Sequence, residues 1–266
     1  MNTTVRDIYE YLDSIAPFDL QETYDNAGII VGDPTQEVTG VMLCLDSTEE
    51  VIQEAIDREC NLVIAHHPII FSGIKQIIGA NYIQRTLMKA IKNNIAIIAI
   101  HTNLDNVLSN GVNEMIAKKL GLISLSILAP KAQEITDAPV GAGIVGKFDD
   151  RMPTESFFDL LKDKMQLDIV KHTDICFDEV KKIAICGGSG SFLLDHAKAA
   201  GAHVFVTSDY KYHEFFDADG EIIIADIGHY ESEQYTIELL YNIISDKFST
   251  FAAHYTQRNT NPVNYY

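Results

Sequence analysis

Apolar residues follow two alternating patterns along this chain. Short runs such as VMLCL, NLVIA and IAIIAI are apolar almost throughout, which is typical of strands buried on both faces of a sheet. Between these runs, apolar residues recur every three or four positions, as they do between Val51 and Ile56, which is the spacing of an amphipathic helix. The alternation predicts an α/β protein with mixed, largely parallel sheets flanked by helices.

The alternation predicts a chain of two parts. It breaks between residues 124 and 180, where the Gly-rich stretch PVGAGIVGKF stands, and then resumes. We therefore expect two similar lobes, approximately residues 1–123 and 124–266, and we consider that the C-terminal segment packs back on the first lobe. Within them, Ser47 and Glu50 predict a helix start, Gly121 predicts a helix end, and the last long helix is expected over residues 231–244.

A strand-helix-strand unit occurs twice at the same spacing. Cys44 and His66 are 22 positions apart, and so are Cys186 and Ser208. Units of this kind often have similar lengths, so the match indicates either an internal repeat or a common unit size. An internal repeat predicts two facing lobes with a binding site in the cleft between them, because open α/β sheets bind ligands at the carboxyl ends of their strands.

Composition and charge narrow the classes of function. The chain is 47% hydrophobic and 22% charged, which is ordinary for a globular protein. Its formal charge of −18 makes nucleic acid an unlikely partner, because nucleic-acid binders usually carry a basic face. The first residues do not resemble a leader, and no apolar run approaches the ~18 residues of a membrane span, so we expect a cytoplasmic protein without membrane contact. The four cysteines lack a C-x-x-C pair and are interpreted as reduced and structural.

Histidine and carboxylate residues gather where the predicted strands end. These residues are His66, His67, His101, Asp105, Asp209, His213, His229 and Glu233. Imidazole and carboxylate are the ligands of zinc, iron and manganese, so the pattern predicts a metal site. Singly, each residue has an ordinary alternative: a strand-end histidine is more often hydrogen-bonded, and Asp105 or Glu233 could serve a turn or a helix start.

The positions of five of these residues predict two ions. His229 and Glu233 are four apart at a probable helix start and can reach one site. Successive residues of a strand point to opposite faces, so His66 and His67 are expected to serve different ions. With Asp105, and with one carboxylate bridging, the five supply three bonds to each ion and leave positions for water or substrate. His101, Asp209 and His213 are expected to support the ligands or to transfer protons.

The stretch CGGSGSF resembles a phosphate-binding loop between a strand and a helix. It has no lysine after the glycines, as a P-loop would. A tight turn and a helix start that holds a phosphate both remain open. It also matches the G-x-S-x-G turn of serine hydrolases only in shifted form and without an evident acid partner, so serine chemistry is disfavoured.

Motifs along almost the whole chain together resemble one family. They are YDNAGIIVGDP, AHHPIIF, AIHTNLDNV, CGGSG, SDYKYHEF, ADIGHYESE and NTNPV. The chain is similar to the GTP cyclohydrolase I type 2 homologs, also known as the NGG-interacting factor three-like family. The resemblance implies a single family domain over residues 1–266, assembled into a ring-like homohexamer with a dinuclear metal centre in each subunit. The family ligands fall on the same five residues.

Two details of the resemblance concern this chain in particular. Family members commonly have glycine at the position of Ser208, before the acidic residue Asp209. The serine restricts the conformational freedom of the backbone at this position. The stretch between Leu120 and Lys181 is too short for the extra domain that some members carry, so the chain is similar to the compact form.

Together, residues and resemblance predict a dinuclear metal-dependent hydrolase. It would hold two divalent ions (zinc, iron or manganese) and act through a metal-bound hydroxide on a nucleotide or phosphorylated metabolite, GTP being the family's implication. Few basic residues, among them Lys75 and Lys211, stand near the motifs to bind a triphosphate. The alternative is a non-catalytic metal-binding protein whose ring serves regulation or scaffolding.

Overall fold

The computed structural model describes residues 2–131 and 137–266. In chain order its α-helices are α1 Val5–Ile15, α2 Glu49–Asp57, α3 Tyr82–Lys92, α4 Thr102–Asp105, α5 Val112–Leu120, α6 Thr154–Met165, α7 Leu194–Ala199, α8 His229–Glu233 and α9 Thr236–Lys247. Its strands are β1 Gly28–Val31, β2 Gly40–Cys44, β3 Leu62–Ala65, β4 Ala96–Ala99, β5 Ile123–Pro130, β6 Gly141–Pro153, β7 Lys171–His172, β8 Glu179–Ser189, β9 Val204–Ser208, β10 Ile223–Asp226 and β11 Ala252–Tyr255. Short 3-10 segments cover Phe18–Leu20, Ser191–Leu193 and Tyr212–Ala218.

The chain divides into two compact units. Unit 1 comprises Met1–Leu104 and Thr236–Asn264, and unit 2 comprises Asp105–Tyr235 and Tyr265–Tyr266. The sequence pattern predicts a division near residue 123. The structure instead groups α5 with unit 2, because this helix packs on β8 and α6. Unit 1 is therefore discontinuous and takes its last helix and last strand from the end of the chain.

The sheet of unit 1 has the strand order β1-β4-β3-β2-β11. β1 is antiparallel to β4, and the other neighbours are parallel. Every residue of β2, β3 and β4 is buried, which explains why these strands are apolar throughout. Helices α2 and α3 pack on one face, where Val51 and Ala90 join a core with residues of the three strands. The carboxyl ends of β2, β3 and β4 consequently share one edge of the sheet.

The sheet of unit 2 has the strand order β5-β6-β8-β9-β10-β7. β8, β9 and β10 are parallel to one another, whereas β5, β6 and β7 pair antiparallel. Phe205 and Ile224 lie in a core that this sheet builds with α7 and the neighbouring 3-10 segments. The α/β prediction with two mixed sheets is confirmed. The sheet is largely parallel in unit 1, while unit 2 has a parallel centre with antiparallel margins.

Several local predictions differ from the structure at the ends of helices. Thr48, not Ser47, is the N-cap of α2, and its side chain accepts a hydrogen bond from the Val51 N–H. The last predicted helix is two helices, α8 and α9, rather than one. The end at Gly121 is confirmed, since this residue closes α5 with a left-handed φ of 77°. None of the helices in the two described ranges combines the length and apolar composition needed to cross a membrane.

Gly32 shows how closely β1 and β4 approach each other. Its φ is +110°, and a Cβ at this position would lie 2.6 Å from the Ala96 Cβ. We predict that Gly32→Ala destabilises the protein by about 2–4 kcal/mol, because strain and overpacking act together. The measurement is urea unfolding followed by circular dichroism. Gly73→Ala is the control, since a Cβ there meets no atom within 4 Å, and an equal loss in both variants would contradict the prediction.

Candidate metal centre

The histidine pair follows β3 directly. β3 ends at Ala65, and the parallel pairing with β2 continues for two more residues: His66 N–H donates to the Cys44 carbonyl at 3.1 Å, and His67 N–H donates to the Leu45 carbonyl at 2.9 Å. His66 is fully buried, and His67 is half-buried. The backbone of the pair is thus fixed by the sheet that precedes it.

His66 and His67 do not diverge as successive residues of a strand would. Both histidines lie beyond the last strand residue, and their ring centroids are only 4.9 Å apart. One ring nitrogen each of His66, His67 and His101 lies within 4.8 Å of the other two. The two rings therefore converge with a third imidazole in unit 1. A prediction of two ions then depends on the number of available ligands and not on the two rings pointing apart.

Each of these three rings has its Nδ1 held by an oxygen acceptor. The partner of His66 is the Ile100 carbonyl at 2.9 Å, and those of His67 and His101 are Asp46 and Asp25, each at 2.8 Å. Carbonyl and carboxylate oxygens only accept, so Nδ1 carries the proton and the lone pair lies on Nε2. Metal-binding histidines are held in this way, because the second hydrogen bond fixes both tautomer and ring direction.

Asp25 is a buried carboxylate that holds His101. Its other oxygen accepts from the Thr102 hydroxyl at 2.5 Å and the Thr102 N–H at 3.1 Å. Burial raises the pKa of Asp25, but the hydrogen bond and charge of His101, followed by the bonds from Thr102 and the Asn26 N–H, outweigh burial and lower the pKa to about 2. The carboxylate is therefore ionised throughout the neutral range.

Unit 2 has residues of ligand type of its own, namely Asp105, His229 and Glu233. His229 begins α8, and its Nε2 lies 3.1 Å from Glu233 Oε2, one helical turn later. One oxygen each of Asp105 and Glu233 lie within 4.8 Å of each other. Glu233 is 2% exposed, so this carboxylate is almost entirely removed from water. A buried carboxylate of this kind needs a cation or a hydrogen-bonded proton beside it.

His229 also has its Nδ1 on a carboxylate. Asp209 Oδ2 lies 2.7 Å from it. Burial lowers the pKa of His229, but hydrogen bonds and the charges of Asp209 and Glu233 outweigh burial and raise the pKa to about 11. The two carboxylates therefore favour a positive charge at this position, which is the charge that a divalent cation would also supply.

The loops that hold Asp209 and His229 are tied together by Asp226. This buried carboxylate accepts from the Tyr210 N–H at 3.2 Å and the Gly228 N–H at 3.1 Å, and it pairs with Lys171 at 2.7 Å. Asp209 adopts a left-handed φ of 59°, whereas Ser208 is not among the described residues with positive φ. The departure from a glycine at Ser208 is thus accommodated, because the unusual backbone lies one residue later.

Two glycines of CGGSG, Gly187 and Gly188, allow close packing against Glu233, and their amides are bonded within the protein. The Gly187 N–H donates to Asn113 Oδ1 at 2.8 Å, and the Gly188 N–H donates to Ser232 Oγ at 2.9 Å. Both amides are occupied within the protein, which argues against phosphate binding there. A Cβ on Gly188 would overlap Glu233 Oε1, and its φ of +64° also favours glycine.

The remaining histidines and the cysteines have ordinary surroundings. His213 is exposed in the 3-10 segment Tyr212–Ala218, with ring centroids 5.1 Å from Tyr212 and 6.4 Å from Phe216. His203 Nδ1 accepts from the Lys182 N–H at 3.1 Å. All four cysteines are free, as predicted. Burial raises the pKa of the Cys44 thiol, which suits a structural thiol rather than a thiolate ligand.

The donor set of each unit fits a divalent transition metal. Imidazole nitrogens with a fixed tautomer and ionised carboxylates suit zinc, iron and manganese. In unit 1 these donors are the three imidazoles. In unit 2 they are the Glu233 carboxylate, the His229 ring at 3.1 Å from it, and an Asp105 oxygen within 4.8 Å of a Glu233 oxygen. Asp46 and Asp25 were not singled out from the sequence. Asp46 stands at the end of VMLCLD, so the strand-end rule that found His66 would also have found it.

The motifs and fold agree with a known family. A family model for Duf34/NIF3 (NGG1p interacting factor 3) matches residues 3–262. The chain belongs to the Duf34/NIF3 family. It is 34% identical over 237 residues to a Clostridium acetobutylicum protein named GTP cyclohydrolase 1 type 2 homolog, covering 88% of this chain and 86% of that one. The family resemblance predicted from the motifs is confirmed.

Further relatives define the form of the family domain. This NIF3-family chain matches the crystal structure of Staphylococcus aureus hypothetical protein SA1388 with a TM-score of 0.90 and 32% identity over 100% of both chains. A Staphylococcus epidermidis relative, also named GTP cyclohydrolase 1 type 2 homolog, aligns at 26% identity over 365 residues, covering 98% of this chain and 99% of its own. Because this chain has 266 residues, that relative contains internal segments that the compact form lacks.

The low pKa of Asp25 predicts an acid-sensitive contribution to stability. The pKa is depressed from 3.8 to about 2 on folding, so the stabilisation is fully present above about pH 4 and is lost as the pH falls through 2. We expect Asp25→Asn to lower the free energy of unfolding at pH 7 by about 2 kcal/mol, and the difference from wild type to narrow toward pH 2. Urea unfolding at successive pH values measures it.

The control for this prediction is Asp57→Asn, at an exposed position near the end of α2. It should change the free energy of unfolding by no more than about 0.5 kcal/mol at any pH. A pH-independent difference between wild type and Asp25→Asn would contradict the prediction.

The close approach of Gly188 to Glu233 predicts an effect on metal binding. We expect Gly188→Ala to weaken Zn²⁺ binding about tenfold or more, because the added Cβ must displace the Glu233 carboxylate. Gly201→Ala is a matched control with a similar φ of +69° and no atom within 4 Å of the added Cβ. Isothermal titration of metal-free protein measures both. Equal Zn²⁺ affinities in the two variants would show that the absence of a Cβ at Gly188 is not needed for metal binding by Glu233.

Proposed function

We propose that this NIF3-family protein is a dinuclear metal-dependent hydrolase whose ligands are His66, His67, Asp105, His229 and Glu233. One observation carries the proposal: every histidine among these five has its Nδ1 bonded to a carbonyl or carboxylate oxygen at 2.7–2.9 Å. Three such rings are unusual as mere strand endings, because the acceptor at Nδ1 fixes the direction in which each ring presents its Nε2. Five ligands with one bridging carboxylate provide for two ions.

The chain's own residues would bind, orient and exchange protons. Divalent ions held here would supply Lewis acidity, which activates water and polarises the substrate. Asp46 and Asp209 hold the directions of His67 and His229, and the Ile100 carbonyl holds that of His66. Zinc, iron and manganese all suit these donors.

His101 is the best placed of the three residues expected to transfer protons. Its Nδ1 is bonded to ionised Asp25, so its Nε2 is left to give or take a proton in a fixed direction. Asp209 already has one oxygen on His229 Nδ1, and His213 is an exposed residue beside Tyr212 and Phe216. We therefore propose His101 as the general acid or base and Asp209 as the residue that orients His229.

The substrate that we propose is a nucleotide or another phosphorylated metabolite. The relatives' name, GTP cyclohydrolase 1 type 2 homolog, directs attention to GTP. Lys75 and Lys211 are exposed, and Lys211 faces Glu214 at 3.8 Å, so neither forms a buried phosphate clamp. Substrate phosphates would consequently depend on the metal ions for charge neutralisation. A cytoplasmic location and a ring-like homohexamer are parts of the same proposal.

Metal content is the first test. We expect about two divalent ions per chain by elemental analysis of protein reconstituted with Zn²⁺, and we expect Asp105→Ala to lose at least one of them. His196→Ala, at an exposed position on α7, is the matched control and should keep both. Retention of both ions by Asp105→Ala would contradict the ligand assignment.

Catalysis is tested separately on the metal-replete protein. A hydrolysis screen over nucleotides and phosphoesters should find a rate that Glu233→Ala lowers about 100-fold or more, because a ligand is lost. Equal rates in wild type and Glu233→Ala would reject chemistry at this site. Two bound ions without any hydrolysis would favour the alternative, a metal-binding regulatory or scaffold protein.

A further inference from the structure

Asp46 stands between two neighbouring strands of unit 1. It follows β2, which pairs with β3 on one side and with β11 on the other, both in parallel. From the β3 side, the His67 Nδ1–H donates to Asp46 Oδ1 at 2.8 Å. From the β11 side, the Thr260 hydroxyl donates to Asp46 Oδ2 at 2.6 Å. One carboxylate oxygen is therefore bonded to a side chain that follows β3, and the other to a side chain that follows β11.

The segment after β11 reaches Asp46 along a path that the structure fixes. The Thr256 N–H continues the pairing with β2 by donating to the Leu43 carbonyl at 2.9 Å. The Thr256 hydroxyl then donates to the buried carboxylate of Glu54 at 2.6 Å, and the Gln257 N–H donates to the same group at 3.1 Å. The C-terminal segment is thus attached to Glu54 through Thr256, which stands four residues before Thr260.

The bond from Thr260 restricts how Asp46 can turn. A carboxylate bonded at only one oxygen can rotate about its Cβ–Cγ bond and carry its partner with it, whereas bonds to both oxygens oppose that rotation. The hydroxyl bond is charge-assisted and short, which makes it one of the stronger kinds of hydrogen bond. The direction of the His67 ring is accordingly set by Asp46, and the direction of the Asp46 carboxylate is set in turn by Thr260.

We propose that Thr260 is a positioning residue for metal binding, acting through Asp46 on His67. The inference rests on the proposed function, since it assigns His67 to a metal ion. It adds that the C-terminal segment of the chain supports a ligand that follows β3 without contacting the ion. Partners of metal-binding histidines commonly change metal affinity by about 10–100-fold when they are removed.

The test compares two threonines of the same segment. Zn²⁺ is titrated into metal-free, full-length protein in competition with a chelating dye. Thr260→Ala should weaken one binding step about tenfold, Asp46→Asn should weaken the same step by at least as much, and Thr260→Ser should restore it to within about twofold, because serine keeps the hydroxyl. Thr256→Ala removes the bond to Glu54 instead and should lower the melting temperature with Zn²⁺ affinity unchanged.

A spectroscopic readout separates positioning from general loss of order. In Co²⁺-loaded protein, Thr260→Ala should shift or broaden the visible d–d bands, whereas Thr256→Ala should leave them unchanged. Wild-type affinity in Thr260→Ala would overturn the positioning role and leave the metal assignment standing. Equal weakening by Thr256→Ala would overturn it too, because the effect would then be one of segment order. Absence of Zn²⁺ binding by wild type would overturn the proposed function and the positioning role with it.

Discussion

The candidate site depends on one kind of interaction, the hydrogen bond that fixes the Nδ1 atom of a histidine ring. It occurs at His66, His67, His101 and His229. An imidazole left to itself exchanges tautomers and rotates about its side-chain bonds. A fixed acceptor at Nδ1 removes both freedoms and commits Nε2 to an outside partner. The strand ends place the rings, but these acceptors decide which atom each ring presents. Burial strengthens the bond of His66 most, because the local dielectric is low there, whereas the bond between His229 and Asp209 is exposed.

The parallel arrangement of the strands explains why such acceptors are available. β2, β3 and β4 end at one edge of the unit 1 sheet, so Asp46, His66 and His101 emerge side by side. In unit 2, β9 and β10 do the same for Asp209 and His229. The apolar strands β2, β3 and β4 therefore contribute no charged group to the site, yet they set the spacing of the residues that follow them.

Much of this could be predicted from the sequence, and the failures have physical causes. Continuous apolar runs gave β2, β3 and β4, because strands buried on both faces tolerate little else. β1 and β11 were not predicted, since short strands at the margin of a sheet carry no strong periodicity. The unit boundary at Leu104 was missed because α5 follows β4 in the same rhythm, and only packing assigns it to unit 2.

The candidate site shows the same division. His66, His67, His229 and Glu233 could be found from residue type and from spacing at strand ends. Asp25 could not be found, because it lies 76 positions before His101 in a segment without strand or helix periodicity. The alternation of side chains along a strand gave the wrong reason for two ions, since His66 and His67 already lie outside β3. Side-chain periodicity predicts directions well within a regular element and poorly for the residues that immediately follow it.

The return of the chain to unit 1 has a consequence for the order in which the protein is made. β11 and Thr260 follow His67 and Asp46 along the chain and therefore leave the ribosome after them. Until these residues have been made, one edge of β2 is uncovered and Asp46 lacks its second partner. Unit 2 has nearly all of its residues before that point and can fold first. The Asp46 carboxylate can therefore be held at both oxygens only after β11 and Thr260 have been synthesised.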